Sequence, residues 1–170
     1  MIYQLVNTVT TKDNVEMMVN RGKEFEKIVQ TQLEELPNTS VIRLYDTMQG
    51  FVGICNPCDY IIYKEPTMFL FECKAKGSNT LNFKNDIRGS QWDGLEKHSL
   101  TKGVIAGVLC WFTEKDITRF YPIEYLLIRK NEGAKSVNSD EGILVDGHKK
   151  KIFFRYDWDK FFKEVPLWRS

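Results

Sequence analysis

The pattern of apolar and polar positions divides the chain into segments with distinct periods. From about residue 14 to residue 36, Val15, Met18, Val19, Phe25, Ile28, Val29, Leu33 and Leu36 recur at helical spacing. Pro37-Asn38 ends this helix and Gly22 interrupts it. Val41 to Tyr45 predicts a first strand, and the glycine-flanked Gly50-Phe51-Val52-Gly53-Ile54 connects it onward. Two β-branched and aromatic runs follow, Asp59 to Tyr63 and Met68 to Phe71. The polar Lys64-Glu65-Pro66-Thr67 joins them, which predicts a β-hairpin. A polar stretch carrying Leu81 and Phe83 leads to a helix over about 86–99, with Ile87, Gln91, Trp92 and Leu95. After Gly103 the apolar run 104–112 predicts a central buried strand.

The remainder is shorter-ranged. Thr118 to Tyr121 predicts a strand, and Pro122-Ile123-Glu124 starts a helix with proline well placed in its first turn. Residues 132–142 form a polar loop holding Gly133-Ala134-Lys135-Ser136. Ile143-Leu144-Val145 and Ile152-Phe153-Phe154 flank Asp146-Gly147, which predicts a hairpin turn. Asp157 caps a last helix through Phe162. The order helix, three strands, helix, strand, strand, helix predicts an α/β domain, a mixed central sheet flanked by helices on both faces.

Composition narrows the class. The 170 residues fit one domain over 1–170, with 1–13 as a short extension. No apolar run approaches the roughly 20 residues that span a bilayer. Met1-Ile2-Tyr3-Gln4 opens no basic-then-apolar leader, so a soluble cytoplasmic protein with no membrane partner is expected. A net charge of +1 gives no bulk signature of nucleic-acid binding but leaves room for a local basic surface. The densest such cluster is His148-Lys149-Lys150-Lys151, with Arg155 following; on sequence alone a solvated turn leading into the strand Ile152-Phe153-Phe154 is the favoured explanation. Cys55-Asn56-Pro57-Cys58 has zinc-site spacing but lacks a second pair, and neither histidine is near it. Reduced, structural cysteines are expected.

The chemistry concentrates at the first hairpin. Glu72 and Lys74 are two residues apart on a strand and point to one face. Asp59, at the start of the partner strand, brings a second carboxylate beside Glu72. Two carboxylates and an ammonium converging where apolar strands meet are costly unless a cation or phosphate compensates them. Two hard oxygens suit Mg²⁺, which can lower the pKa of a bound water and polarise a phosphoryl oxygen. A neighbouring lysine can orient the water or neutralise developing charge. On the hairpin alone, a solvated Glu–Lys pair of little energetic value accounts for the residues equally well. Glu26, four residues after Gly22 and beside Phe25, lies near the buried edge of the first helix.

With these residues in order, the chain resembles the PD-(D/E)-x-K nuclease superfamily and, more narrowly, the RecU-type Holliday junction resolvases. Asp59 and Glu72-Cys73-Lys74 match the superfamily signature, with Cys73 in the variable slot. Asn20-Arg21-Gly22-Lys23-Glu24-Phe25-Glu26 matches the family's first-helix run, with Glu26 in the acidic role. Gln91 falls where RecU-type proteins place a glutamine, and Leu81-Asn82-Phe83 resembles the connection before it. Lys102-Gly103-Val104-Ile105 and Gly133-Ala134-Lys135-Ser136 extend the resemblance over about residues 20–162. The family's stalk is shortened here, at most a segment around Met48 to Cys55, and its basic amino-terminal tail is missing, as in a compact phage-type or mobile-element resolvase.

The resemblance implies a restriction-endonuclease-like core and a structure-selective, metal-dependent endonuclease cutting four-way DNA junctions. It implies that Asp59 and Glu72 hold Mg²⁺ (Mn²⁺ substituting), assisted by the Cys73 carbonyl and by Glu26. Lys74 would position the attacking water and Gln91 would orient it or contact the phosphate. Lys76, Arg21, Lys135, Lys149 and Lys150 are the candidate DNA contacts. Paired nicks imply a C2 homodimer. A restriction- or repair-type endonuclease of the same fold, and a non-catalytic junction-binding module, are the alternatives.

Overall fold

A computed structural model describes residues 20–45, 56–150 and 153–169. The first helix, α1, is described over residues 20–34 and puts Phe25, Val29 and Leu33 against the sheet. The proposed start of this helix before residue 20, and the short stalk around Met48 to Cys55, lie outside the described residues.

Six strands make one mixed sheet. β1 (Thr39–Arg43), β2 (Tyr60–Lys64) and β3 (Thr67–Lys76) run antiparallel, as the hairpin pattern predicts. β3 then pairs in parallel with β5 (Val104–Phe112), and β5 pairs antiparallel with β6 (Ile117–Pro122). β8 (Ile143–Leu144) finishes the sheet against β6. A parallel neighbour requires a crossover. Here it consists of β4 (Thr80–Asn82), the single turn α2 (Phe83–Asp86) and α3 (Gly89–Ser99). The chain is thus an α/β domain with a mixed central sheet flanked by helices.

The two faces of the sheet carry separate cores. On one, α1 and α5 (Trp158–Glu164) pack over Tyr60, Ile62, Phe69, Phe71 and Phe120. Phe71 lies 5.7 Å from Phe161 edge-on, and Phe69 lies 4.7 Å from Phe162. On the other face, α3 and α4 (Ile123–Asn131) cover Leu70, Val108 and Cys110 with Trp92, Leu95, Ile123 and Leu126. β5 is buried along almost its whole length, as its unbroken apolar run requires. Gly107 lets β6 approach it, since a Cβ there would sit 2.4 Å from the Tyr121 carbonyl oxygen.

The structure departs from the sequence reading in its polar segments: the stretch before α3 holds β4 and α2, so α3 starts at Gly89 rather than near residue 86. The polar loop 132–142 contains β7 (Ser136–Asn138), which pairs with β4. Three-residue strands offer too few positions for alternation to show. Asp146-Gly147 is not a hairpin turn either. Gly147 opens β9 (Gly147–Lys150), which pairs with β10 (Phe153–Tyr156), while Ile143 and Leu144 belong to the main sheet. The glycine serves close approach: a Cβ at Gly147 would lie 2.8 Å from the Arg155 carbonyl oxygen. Asp146 is held by Asp157, whose N–H donates to its carbonyl at 2.8 Å, and by Lys160. α5 begins as expected, with the Asp157 side chain accepting from the Lys160 N–H at 3.0 Å. Among the described residues no helix is long and apolar enough to cross a membrane.

Candidate active site

The hairpin register brings the first acids together. Tyr60 opposes Phe71, and the N–H of Asp59 also donates to the Phe71 carbonyl at 2.9 Å. Two residues against one is the geometry of a bulge, which re-aims a side chain at the end of a ladder. The Asp59 carboxylate turns onto β3, where Oδ2 accepts from the Cys73 N–H at 2.7 Å. The carboxylate therefore supplies the next rung, fixed beside Glu72 and the Cys73 backbone.

Glu72 is buried on the α3 face of β3, with 3 % of its surface exposed. Its Oε1 accepts from Gln91 Nε2 at 2.5 Å and forms an ion pair with Lys74 Nζ at 2.8 Å. Gln91 is itself pinned, since its Oε1 accepts from the Arg88 N–H at 2.9 Å at the start of α3. That bond satisfies one of the helix's orphan donors and leaves the amide nitrogen aimed at Glu72. Gly94 lets α3 close on Pro57, whose Cβ would lie 2.5 Å from an added Cβ. The helix that carries Gln91 thus rests on the segment that leads into Asp59.

Electrostatics follow from this burial. The Glu72 carboxyl is pushed up to about 7, first by burial and then by the charge of Asp59, with Lys74 and Arg88 opposing. Burial raises the Cys73 thiol, and Asp59, Glu72 and Glu26 raise it further. Three carboxylates therefore press on one stretch of β3.

Glu26 approaches from the other face. It stands on α1, and its Oε2 accepts from Arg43 Nη2 at 2.6 Å. The helix is fixed there by the Tyr60 hydroxyl, which donates to the Glu26 carbonyl at 3.0 Å. Lys76, one step beyond Lys74, is bound to Asp86 Oδ1 at 2.5 Å. Arg21 Nη1 donates to Thr113 Oγ1 at 2.8 Å, and Lys149 pairs with Asp116. Those two cations line one cavity of about 270 Å³ on the α1 side of the sheet. Lys135 is exposed in a different groove, and Lys150 is placed only as part of β9. The structure assembles Asp59, Glu72, Lys74 and Gln91 at one point and distributes the proposed DNA contacts over both faces.

Sequence reasoning missed Arg43, Arg88 and Asp86, which hold or oppose the site's charges. Each pairing joins elements whose docking no local pattern reveals. Gln32 is similar: it is buried on α1, donating to the Phe154 carbonyl at 2.6 Å and accepting from the Tyr156 N–H at 2.8 Å. Cys58, Cys73 and Cys110 are free and buried, while Cys55 lies outside the described residues.

A divalent cation fits the donor set. Among the described residues no group of three or more His, Cys, Asp or Glu side chains is arranged to hold a metal. The set is two carboxylates, Asp59 and Glu72, and Mg²⁺ is commonly bound by one or two carboxylates with water and phosphate completing its shell. A cation between them would also offset the like-charge pressure that raises Glu72.

No family model matches this sequence, and no curated protein matches it. Among solved structures, the chain is similar to Hjc, a Holliday junction resolvase from Archaeoglobus fulgidus. The identity is 20% and the TM-score 0.46, covering 61% of this chain and 78% of that one. It is also similar to a bacterial homing endonuclease at 7% identity and a TM-score of 0.39, covering 87% of this chain and 93% of that one. Overlaps of this depth decide nothing about activity, which has to be read from the site itself.

Proposed function

We propose that this chain is a metal-dependent endonuclease that hydrolyses phosphodiester bonds in four-way DNA junctions. The observation that carries the hydrolytic reading is the convergence of Lys74 and Gln91 on a buried Glu72 that also feels the charge of Asp59. A purely structural site would gain little from a carboxylate forced against its like, because burying charge is costly. A site that binds a cation and a phosphate gains from it.

In this reading Asp59 and Glu72 hold Mg²⁺, or Mn²⁺ in its place, with the Cys73 carbonyl and Glu26 assisting. The bound cation would supply Lewis acidity, making a nucleophile from water and polarising a phosphoryl oxygen. The Lys74 ammonium, 2.8 Å from Glu72 Oε1, is placed to donate to the attacking water or to a phosphoryl oxygen as charge develops there. Gln91 holds the Glu72 carboxylate in one orientation through its amide N–H. Lys76 extends the same face toward a neighbouring phosphate. Two nicks across a symmetric junction require two such sites, so the active form is a C2 homodimer.

The test is a labelled four-way junction beside a matched linear duplex, each with Mg²⁺ or EDTA. Wild type should nick the junction in pairs, only with metal. Glu72→Ala should bind without cutting, and Lys74→Ala should lose turnover by at least about 100-fold, the scale of one lost electrostatic donor. Equal cutting of linear duplex would keep the catalytic site and remove junction selectivity. Binding without cutting in either metal would make the chain a DNA-binding module.

A further inference from the structure

Beside the catalytic face lies a groove of about 720 Å³ between α2, the start of α3 and the loop before β7. Its floor is apolar, formed by Phe83, Ile87 and Trp92, with the two aromatic rings edge-to-face at 5.5 Å. Its rim is basic: Lys84, Lys130 and Lys135 line it, and no carboxylate does. The Lys130 ammonium sits 4.5 Å from the centre of the Trp92 ring. Among the described residues none of these three lysines is in an ion pair, whereas Lys74, Lys76, Lys115, Lys149 and Lys160 all are.

The groove shares a wall with the site. Within residues 86–91, Asp86 and Gln91 reach the catalytic face, to Lys76 and Glu72, while Ile87 and Gly89 line the groove. A ligand seated there would lie against the segment that carries Asp86 and Gln91.

We infer that this groove binds one unpaired nucleotide of the DNA substrate, with its base against the apolar floor and the flanking phosphates on Lys84, Lys130 and Lys135. The inference rests on the nuclease reading for its substrate class and adds what that reading lacks, a place for a base out of the stack. Phosphates alone would need the lysines but not the floor, and a paired duplex keeps its bases from reaching one. Base–aromatic contact within a basic groove is how single strands are held without sequence preference; here the base would meet the exposed edges of Phe83 and Trp92, which are otherwise buried. The exposed Asn85 amide on the lining can bond to a base edge.

The experiment measures binding in EDTA, where cutting is absent. Three probes are compared by fluorescence anisotropy across salt: a paired duplex, the same duplex with one extruded nucleotide, and a single strand. The protein should prefer the extruded nucleotide and the single strand over the paired duplex by tenfold or more. Lys84→Ala/Lys130→Ala/Lys135→Ala, all exposed positions, should flatten the single-strand log–log salt slope by about 2, the share of three phosphates. Ala134→Trp, which fills the groove, should abolish the preference yet keep the slope. A 5-iododeoxyuridine at the extruded position should photocrosslink to Phe83 or Trp92. No preference among probes, an unchanged slope in the triple variant, or crosslinks elsewhere would overturn the assignment. Failure of the nuclease reading would show differently: no metal-dependent cutting of any DNA, with these binding results intact.

Discussion

At the scale of single residues, Glu72 dominates, because its surroundings oppose its charge. Its ordinary value is 4.5 and its folded value about 7, owing to burial and Asp59. Between those values the unfolded chain has released a proton that the folded chain keeps. Stability from this group is therefore lost as pH rises from about 4.5 to 7, and it levels off above. A shift of this size corresponds to on the order of 3 kcal/mol. In EDTA, Glu72→Gln should gain on the wild type by on the order of 1–3 kcal/mol between pH 4.5 and pH 8, read by urea unfolding at each pH. A pH-independent difference would mean that burial and Asp59 do not press on this carboxylate. The acid and lysine were legible in the sequence because strand alternation fixes which neighbours share a face. Gln91 entered the candidate site only through the family resemblance, which assigned it to the water or the phosphate; its bond to Glu72 was not legible, since it requires α3 to land on β3 in one register. Glu26 shows the limit most clearly: its position on α1 was readable, but its pairing with Arg43 depends on how α1 crosses β1.

At the scale of elements, the crossover from β3 to β5 does most to build the site, and one glycine sets its height. Gly94 brings α3 onto Pro57, two residues ahead of Asp59. A methyl group at Gly94 would meet both Pro57 Cβ at 2.5 Å and Pro57 Cα at 2.9 Å, and a proline ring cannot swing aside. Gly94→Ala should therefore cost on the order of 1–3 kcal/mol by overpacking. Cleavage well below the melting temperature should also fall by at least about tenfold, because displacements of about an ångström at a catalytic group are felt strongly. Gly22→Ala is the control, since nothing lies within 4 Å of a Cβ there and alanine favours a helix. Equal activity in Gly94→Ala would detach α3 from the placement of Asp59. The long elements were readable because their periods persist: β5, α3 and the hairpin all lie close to where the pattern puts them. β4 and β7 were not, being three residues each, and Asp146-Gly147 misled because the turn signal and the close-approach signal are the same residue pair.

At the scale of the molecule, the sheet separates two duties. Its α1 face holds a dense aromatic core with the paired Arg43 and Lys149 beside it, while its α3 face holds the buried Glu72 and, beside it, the lysines of the groove, none of them in an ion pair among the described residues. A net charge of +1 conceals this division, which is why composition gave so little guidance about partners. It also predicts how the whole fold responds to metal. The cation proposed for Asp59 and Glu72 would bind the folded chain and not the unfolded one, so its addition should raise the melting temperature. For 10 mM Mg²⁺ and a dissociation constant of about 1 mM, the gain is about 1.4 kcal/mol, or about 3–6 °C for a domain of this size. The shift should be larger at pH 8 than at pH 5.5, because the cation competes with the proton that Glu72 holds up to about pH 7. Glu72→Ala and Asp59→Ala should show no such shift at either pH. A rise shared equally by wild type and both variants would be a general ionic effect, and it would remove the metal from these two carboxylates while leaving the fold that positions them unchanged.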